Sequence, residues 1–230
     1  MDSSFNSFSR KWSQVNAVIN VVGLSLAWYF DIEWFWWAAI FVWFTYYIMN
    51  IPKLHAGLPL GVGYANLITI CRFILLLSLL IAHDYLLPEI LFSGFLIVVI
   101  LDGVDGWAAR RYGQSSTVGE LLDMETDAFM VLSLSWIHFQ SDLVGWWILI
   151  PGGMRYYVEL LLSRFLSNYR EPLPKKLRST IAVLFFGCLI GAFVLPEYWA
   201  ILALKISSVL ILTSFGMSIL LRIIFRRKSV

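Results

Sequence analysis

The chain has 230 residues, of which 60% are hydrophobic and 14% are charged, and its mean hydropathy is +0.77. One soluble core of this length cannot bury that much apolar surface, so the composition excludes an ordinary soluble globular protein and places the chain in a bilayer. The formal net charge of +2 suggests little by itself, and no nucleic-acid partner is predicted.

Eight apolar stretches approach the roughly 20 residues that a spanning helix needs. They are residues 13–30, 34–51, 65–83, 86–109, 118–140, 143–163, 179–196 and 198–221. Asn16, Asn20 and Ser25 dilute the first stretch, so it either crosses the membrane or lies along its interface. We therefore predict an all-α polytopic membrane helical bundle, with an N-terminal hydrophobic hairpin in 1–55 and a six-helix membrane domain in 56–230.

Lysine and arginine are distributed unevenly among the loops between these stretches. Fourteen of the 17 lie before the first stretch, after the second, fourth and sixth, and at the C-terminus. The alternate loops contain no basic residue and carry instead Asp31, Glu33, Asp84, Glu89, Asp142 and Glu197. Because basic residues are retained on the cytoplasmic side of a membrane, we predict that both termini are cytoplasmic.

Four aspartates lie at or near the ends of two otherwise apolar predicted helices. Asp102 and Asp105 are three residues apart and Asp123 and Asp127 are four apart, so each pair lies on one face of its helix. The turn between the two helices is cytoplasmic by the charge distribution, so the two faces can converge near the inner membrane surface. Each ionisable group in a membrane segment costs roughly 3 kcal/mol on insertion scales, so the four carboxylates need a partner.

A group of convergent carboxylates suits a hard divalent cation such as Mg²⁺, Mn²⁺ or Ca²⁺. A pair of such ions about 3.5 to 4 Å apart is a common arrangement for phosphoryl chemistry. We therefore predict two divalent metal ions, Mg²⁺ or Mn²⁺, held by Asp102, Asp105, Asp123 and Asp127.

Small and basic residues complete a motif around these aspartates. The pattern D-x-x-D-G-x-x-A-R-x8-G-x-x-x-D-x-x-x-D is matched at every fixed position, by Asp102, Asp105, Gly106, Ala109, Arg110, Gly119, Asp123 and Asp127. It resembles the signature of the CDP-alcohol phosphotransferases. Upstream, Asn66, Thr69 and Arg72 resemble the P-N-x-x-T-x-x-R segment of that family, with Ala65 where proline is usual.

The resemblance implies a membrane enzyme that transfers a phosphatidyl group from a CDP-linked lipid, usually CDP-diacylglycerol, to a small alcohol and releases CMP. It implies that Asp127 is the catalytic base and also contacts metal, while the other three aspartates are mainly metal ligands. The nucleotide-binding residues that it implies are Asp105, Gly106, Ala109, Arg110, Gly119 and Asn66. Members of the family are generally homodimers, and we expect the same here, with the lipid bilayer around the protein and the active site on the cytoplasmic side.

Basic residues further along the chain bear on the acceptor alcohol. Arg155 lies in an otherwise apolar stretch, and Lys176 and Arg178 begin the next helix on the cytoplasmic side. Together these side chains can hold a phosphate on the acceptor, although setting the topology is the alternative role for such charges. The stretch vaguely resembles segments of phosphatidylglycerophosphate synthases, with Tyr156 and Lys175 where Glu and Gly are expected. We predict glycerol 3-phosphate as the acceptor, with inositol phosphate, serine or another small alcohol as alternatives.

Two other classes of function fit parts of the pattern. Buried acidic residues also mark the pathways of cation or proton-coupled transporters, but the outer halves of the fourth and fifth stretches, 87–99 and 130–139, are nearly free of charge. An inactive or scaffolding relative would be indicated by loss of a signature aspartate, and none is lost. The sequence therefore favours a transferase with a catalytic pocket open to one side.

Overall fold

The structure, a computed structural model, describes residues 3–54, 64–111, 117–162 and 175–227. Within these ranges all regular structure is helical. The helices are α1 (Ser3–Phe30), α2 (Trp34–Leu54), α3 (Tyr64–Ala82), α4 (Pro88–Arg111), α5 (Thr117–Gln140), α6 (Leu149–Gly152), α7 (Met154–Leu162), α8 (Lys175–Gly191) and α9 (Glu197–Arg227), with 3₁₀ turns at His83–Tyr85 and Trp146–Ile148.

Two helical stretches of the described chain are long and apolar enough to cross a membrane, Leu67–Tyr85 and Glu197–Met217, and Ser179–Gly191 is apolar but shorter. α4 and α5 have 24 residues each, a spanning length, but the aspartates in them lower their hydropathy. The prediction of an all-α membrane protein is confirmed.

Two of the predicted stretches differ from the observed helices. α1 begins at Ser3, ten residues before its apolar part, because hydropathy marks where a helix becomes apolar and not where it begins. The stretch 143–163, predicted as one helix, is divided into a 3₁₀ turn, α6 and α7, with the break at Gly153. Pro151 has no N–H to donate, and its ring crowds the carbonyl four residues earlier. The two glycines that follow it destabilise a helix.

The described chain forms two compact units, which we describe separately. The first comprises Met1–Met130 and Arg155–Leu160, and the second comprises Val131–Met154 and Leu161–Val230. These units follow spatial contacts, and the boundary that we place after residue 55 from composition stays a prediction.

In the first unit α1 and α2 form a helical hairpin around the turn at Asp31, whose φ of 56° is the left-handed conformation that Asp tolerates. The backbone carbonyl of Glu33 accepts hydrogen bonds from the N–H groups of the first turn of α2. Trp36 packs so closely on Gly23 that a Cβ there would lie 2.5 Å from the indole Cδ1, and its Nε1 donates to Asn20 Oδ1 at 3.1 Å. Only glycine therefore fits this crossing.

Aromatic residues join the hairpin to the helices that follow it in the same unit. Phe44 of α2 stacks on Phe73 of α3 at 4.1 Å between ring centroids, and Phe129 of α5 meets Trp36 edge to face at 5.8 Å. At the end of α3, His83 Nε2 lies 3.2 Å from Asp84 Oδ1, and its Nδ1 lies 2.8 Å from the carbonyl oxygen of Leu80. The hairpin is thus packed against α3 and against α5, which carries two of the motif's aspartates.

In the second unit the C-terminal part of α5 packs against α6 and α8. Gly152 lies against Ser135, where a Cβ on the glycine would come within 2.6 Å of the serine Cβ. His138 is buried and its Nε2 lies 2.7 Å from the carbonyl oxygen of Leu189. α8 and α9 are joined by a tight turn that ends at Pro196, whose carbonyl accepts from the first turn of α9.

Candidate active site

Two helices of the first unit bring acidic side chains to one basic side chain on a third helix. Asp102 lies in the C-terminal half of α4, and Asp123 and Asp127 lie in the N-terminal half of α5. These two halves precede and follow the same connection, residues 112–116, so each acidic face lies toward the end of its helix that is nearer that connection. The three carboxylates converge, with one oxygen from each within 4.8 Å of the others.

Arg72 of α3 lies between these carboxylates. Its position follows from the buried face of α3, which recurs every three or four residues and also carries Thr69, Phe73, Leu76 and Leu80. Nη1 donates to Asp102 Oδ1, and Nη2 donates to Asp123 Oδ1 at 2.7 Å and to Asp127 Oδ1 at 3.3 Å. One guanidinium therefore bridges α4 and α5.

The charges and exposure of this cluster suit divalent cations. The side chain of Arg72 is 1% exposed, whereas those of Asp102, Asp123 and Asp127 are 40%, 40% and 49% exposed. The described part of this cluster holds three carboxylates and one guanidinium, and the three carboxylate side chains are partly exposed. Hard oxygen donors with an excess negative charge are the ligands that Mg²⁺ and Mn²⁺ prefer. The residues present thus fit a metal centre.

A second polar group lies on the other side of α5. Glu125 is 1% exposed and accepts hydrogen bonds from Ser13 Oγ at 2.7 Å and Asn16 Nδ2 at 2.8 Å, both on α1. Arg155 Nη2, on α7, donates to the same carboxylate at 2.5 Å. Arg155 is thus already paired, while its Nε is buried and has no hydrogen-bond partner among the described residues.

A groove elsewhere in the first unit is apolar. It lies between α2 and α3, has a volume of about 490 Å³ and is lined by Trp34, Trp37, Ala38, Phe41, Ile74, Leu77, Ser78 and Ile81. None of these side chains is ionisable, so the groove has no group for acid–base or metal chemistry.

A family model described as CDP-alcohol phosphatidyltransferase matches residues 62–224, which is most of the chain. The protein belongs to the CDP-alcohol phosphatidyltransferase family. The carboxylate cluster, Arg72 and Glu125 all lie within the matched residues, whereas the α1–α2 hairpin precedes them.

Curated relatives give the family context. The CDP-diacylglycerol--glycerol-3-phosphate 3-phosphatidyltransferase of Salmonella choleraesuis (strain SC-B67) is 30% identical over 126 residues, which is 53% of this chain and 66% of that protein. The protein of the same name from Escherichia coli (strain K12) is 29% identical over 93 residues, 40% of this chain and 49% of that protein. The chain thus spans between 49% and 66% of these relatives' length. No solved structure matches it.

The structure places the family's signature residues on two helices. Asp102, Asp123 and Asp127 lie together, as predicted from their spacing. Gly106 on α4 and Gly119 on α5 are half-buried. Further predicted residues lie in described helices, but their side chains fall outside the described part of the chain: Asn66, Asp105, Ala109, Arg110, Lys176 and Arg178. Their metal, nucleotide and acceptor roles stay predictions.

Two residues of this region are absent from the predicted site. Arg72 matches the upstream segment of the family and is a charged residue in an apolar helix, which is itself an indication of function in a membrane segment. Glu125 lies between two predicted metal ligands in sequence, and only its position around the helix separates it from them. The sequence could have shown that both residues are charges in apolar helices and need a partner. It could not have shown which residues those partners are.

Proposed function

We propose that the protein transfers a phosphatidyl group from CDP-diacylglycerol to glycerol 3-phosphate and releases CMP, a step of phospholipid biosynthesis. The observation that carries the proposal is the convergence of Asp102, Asp123 and Asp127 at the ends of α4 and α5, within a complete family signature. The relatives named above are transferases between these two substrates. Inositol phosphate, serine and other small alcohols are the alternative acceptors.

The chemistry follows from the substrates. The hydroxyl oxygen of the acceptor forms a bond to the lipid-bearing phosphorus, the pyrophosphate P–O bond to CMP breaks, and CMP leaves with the electron pair of that bond. Two divalent ions, Mg²⁺ or Mn²⁺, would polarise the phosphoryl oxygens and offset the charge that builds on the leaving group. Asp102, Asp105, Asp123 and Asp127 are the proposed ligands of these ions.

The chain's own side chains supply the remaining steps. Asp127 is the proposed general base, which takes the proton of the attacking hydroxyl. Its carboxylate is the most exposed of the described three, at 49%, which suits a group that must meet a soluble acceptor. Arg72 holds Asp102 and Asp123 in place with its two terminal nitrogens. Asn66, Asp105, Gly106, Ala109, Arg110 and Gly119 are the proposed nucleotide contacts.

The acceptor phosphate is proposed to bind basic side chains, namely Lys176, Arg178 and the edge of Arg155 that does not contact Glu125. The buried Nε of Arg155, which has no hydrogen-bond partner in the part of the chain that the structure describes, supports this edge as a donor. Arg155→Ala should then raise the KM for glycerol 3-phosphate more than the KM for the lipid donor. Equal changes in both constants would remove Arg155 from the acceptor site.

The proposed arrangement in the membrane follows the charge asymmetry of the loops, with both termini and the active site on the cytoplasmic side. A homodimer is proposed from the family membership. Cross-linking of the purified protein in detergent, followed by mass measurement, tests the dimer, and a single monomer mass would contradict it.

The function is tested with purified protein, CDP-diacylglycerol, glycerol 3-phosphate and Mg²⁺, by measuring CMP release together with the lipid product. We expect equal amounts of CMP and phosphatidyl product, and loss of both when EDTA removes the metal. Asp127→Asn should lower kcat by about 100-fold or more, because a positioned base contributes roughly 10² to 10⁴.

The matched control is Asp142→Asn. Asp142 lies on a turn at φ 56°, a conformation that Asn also adopts readily, so this variant should keep full activity. CMP release without any lipid product would contradict transfer, and full activity of Asp127→Asn would remove the base assignment.

A further inference from the structure

Glu125 is buried and is fixed in place by hydrogen bonds. It is 1% exposed and its two carboxylate oxygens accept from three donors on two different helices, Ser13 and Asn16 of α1 and Arg155 of α7. A buried carboxylate is unfavourable unless it is paired and hydrogen-bonded. One cation and two neutral donors meet that requirement.

The direction in which Glu125 points connects this group to the metal centre. Residues two apart on an α-helix project about 200° apart, because a turn has 3.6 residues. Glu125 therefore leaves α5 on the side opposite to Asp123, and Asp127, one turn beyond Asp123, shares the side of Asp123. The face with Glu125 also carries Leu122 and Phe129, both buried.

Bonds on the Glu125 side therefore fix the rotation of α5 about its axis. A carboxylate extends roughly 6 Å from a helix axis, so a rotation of 20° moves it by about 2 Å. Functional groups must be held within roughly 0.5 Å and 10 to 20° of their working geometry. A small rotation of α5 would thus displace both aspartates from a bound ion.

The hairpin that supplies two of the three donors is an addition to the part of the chain that matches the family. The match begins at residue 62, after α1 and α2. Ser13 and Asn16 are themselves buried, and Asn16 Oδ1 and its backbone carbonyl accept from Asn20. Ser13, Asn16 and Asn20 thus form a row of polar side chains in an otherwise apolar hairpin, and two of them bind the carboxylate of Glu125. Membrane anchoring alone does not require such a row.

We propose that Glu125 is a positioning residue through which α1 sets the direction of Asp123 and Asp127 toward the divalent ions. The inference rests on the proposed function, since it takes the two aspartates as metal ligands. It gives the N-terminal hairpin a role in metal binding.

The experiment compares the Ser13→Ala/Asn16→Ala double variant and Glu125→Gln with the wild-type chain. Mn²⁺ binding to purified protein is measured by electron paramagnetic resonance of the free ion, and kinetics give the Mg²⁺ concentration for half-maximal rate and the KM for glycerol 3-phosphate. We expect both variants to bind Mn²⁺ about tenfold more weakly, the lower end of the range for residues that orient metal ligands. The acceptor KM should change less than twofold.

The matched control is Ser25→Ala/Asn50→Ala. Both of these side chains are also on the hairpin, but within the described residues each donates to the carbonyl four residues earlier in its own helix. This variant should bind Mn²⁺ like the wild type. Ser13→Ala alone removes one neutral hydrogen bond and should fold, with two- to threefold weaker Mn²⁺ binding, and Ser13→Thr, which keeps a hydroxyl, should restore it.

The outcomes separate the two proposals. If wild-type protein binds no Mn²⁺ and releases no CMP, the proposed function fails. If it does both, but the Ser13→Ala/Asn16→Ala variant binds Mn²⁺ as tightly as the control, only the positioning role fails. A change confined to the acceptor KM would also overturn it, because Glu125 would then act through Arg155 and not through the aspartates of α5.

Discussion

Arg72 and Glu125 are single charged side chains that are each 1% exposed inside the first unit. Each lies among groups of opposite charge or hydrogen-bonding partners from other helices: Arg72 has three carboxylates, and Glu125 has one guanidinium and two neutral donors. The first cluster is rich in negative charge and half-exposed, so it can accept cations. The second is balanced and closed, which suits a structural connection.

Replacing Arg72 should make the protein depend on divalent ions for its stability. In Arg72→Met three neighbouring carboxylates lose their shared cation, so their repulsion should lower the free energy of unfolding by about 2 kcal/mol, below the 3 to 5 kcal/mol of a fully buried pair because the carboxylates are half-exposed. Mg²⁺ should recover most of this loss by supplying the missing charge. Thermal unfolding in detergent, with and without Mg²⁺, measures the effect.

Arg72→Lys is the control for this prediction, since it keeps a positive charge at the end of a similar chain but loses the forked geometry. It should be destabilised less than Arg72→Met. The account of Arg72 as the shared counter-ion would be wrong if Arg72→Met unfolded at the wild-type temperature, or if Mg²⁺ stabilised both proteins equally.

Helical spacing in the sequence predicted which aspartates share a helix face, but it did not predict the side chains that other helices bring to the site. Spacings of three and four residues place Asp102 with Asp105 and Asp123 with Asp127, and the convergence of Asp102 with the α5 pair is confirmed. Spacing within one helix does not show which helix lies opposite, so neither the approach of Arg72 from α3 nor the pairing of Arg155 with Glu125 followed from the sequence. Such pairings depend on tertiary packing of segments that are far apart in the chain.

At the scale of elements, apolar runs predicted where helices lie because the bilayer requires continuous hydrogen-bonded segments. The run 34–51 corresponds to Trp34–Leu54, and 118–140 corresponds to Thr117–Gln140. The prediction of one helix from an apolar run was wrong where proline and glycine interrupt the helix. The run 143–163 is mostly apolar, yet Pro151 and the glycines after it divide it.

Gly152 is an element-scale contact that predicts a specific loss of stability. A Cβ on this buried glycine would lie 2.6 Å from the Cβ of Ser135 on α5, so Gly152→Ala should force α6 and α5 apart. Overpacking of this kind costs typically 1 to 3 kcal/mol. Thermal unfolding should show a lower midpoint for Gly152→Ala, and the Ser135→Gly replacement in the same chain should restore part of it.

The comparison for this prediction is Gly187→Ala on α8. A Cβ there meets no described atom within 4 Å, and alanine in a helix is favoured over glycine by roughly 0.5 to 1 kcal/mol. Gly187→Ala should therefore be neutral or slightly more stable than wild type. Equal destabilisation by both changes would show that the helices respond to any added methyl group, not to the contact with Ser135.

At the scale of the whole molecule, the position of the aspartate cluster along α4 and α5 agrees with the orientation that we predict from the charge asymmetry. Asp102 lies nine residues before the end of α4 and Asp123 six residues after the start of α5, so both lie about 9 to 14 Å along the helix from the connection between them. That connection follows Arg110 and Arg111, two of the basic residues on the predicted cytoplasmic side. The proposed metal site therefore lies near a basic connection that the charge distribution predicts to be cytoplasmic.

This arrangement predicts which positions are accessible from outside an intact cell. In a chain with Cys71 and Cys188 replaced by alanine, a membrane-impermeant maleimide should label Ser141→Cys, in the acidic turn after α5, without opening the cells. Ser229→Cys, beside the basic C-terminus, should be labelled only after the membrane is opened. Labelling of Ser229→Cys in intact cells would show the opposite orientation. The basic loops would then lie outside, and their retention in the cytoplasm could not determine the topology. That orientation would also place the aspartates of α4 and α5 at the outer surface.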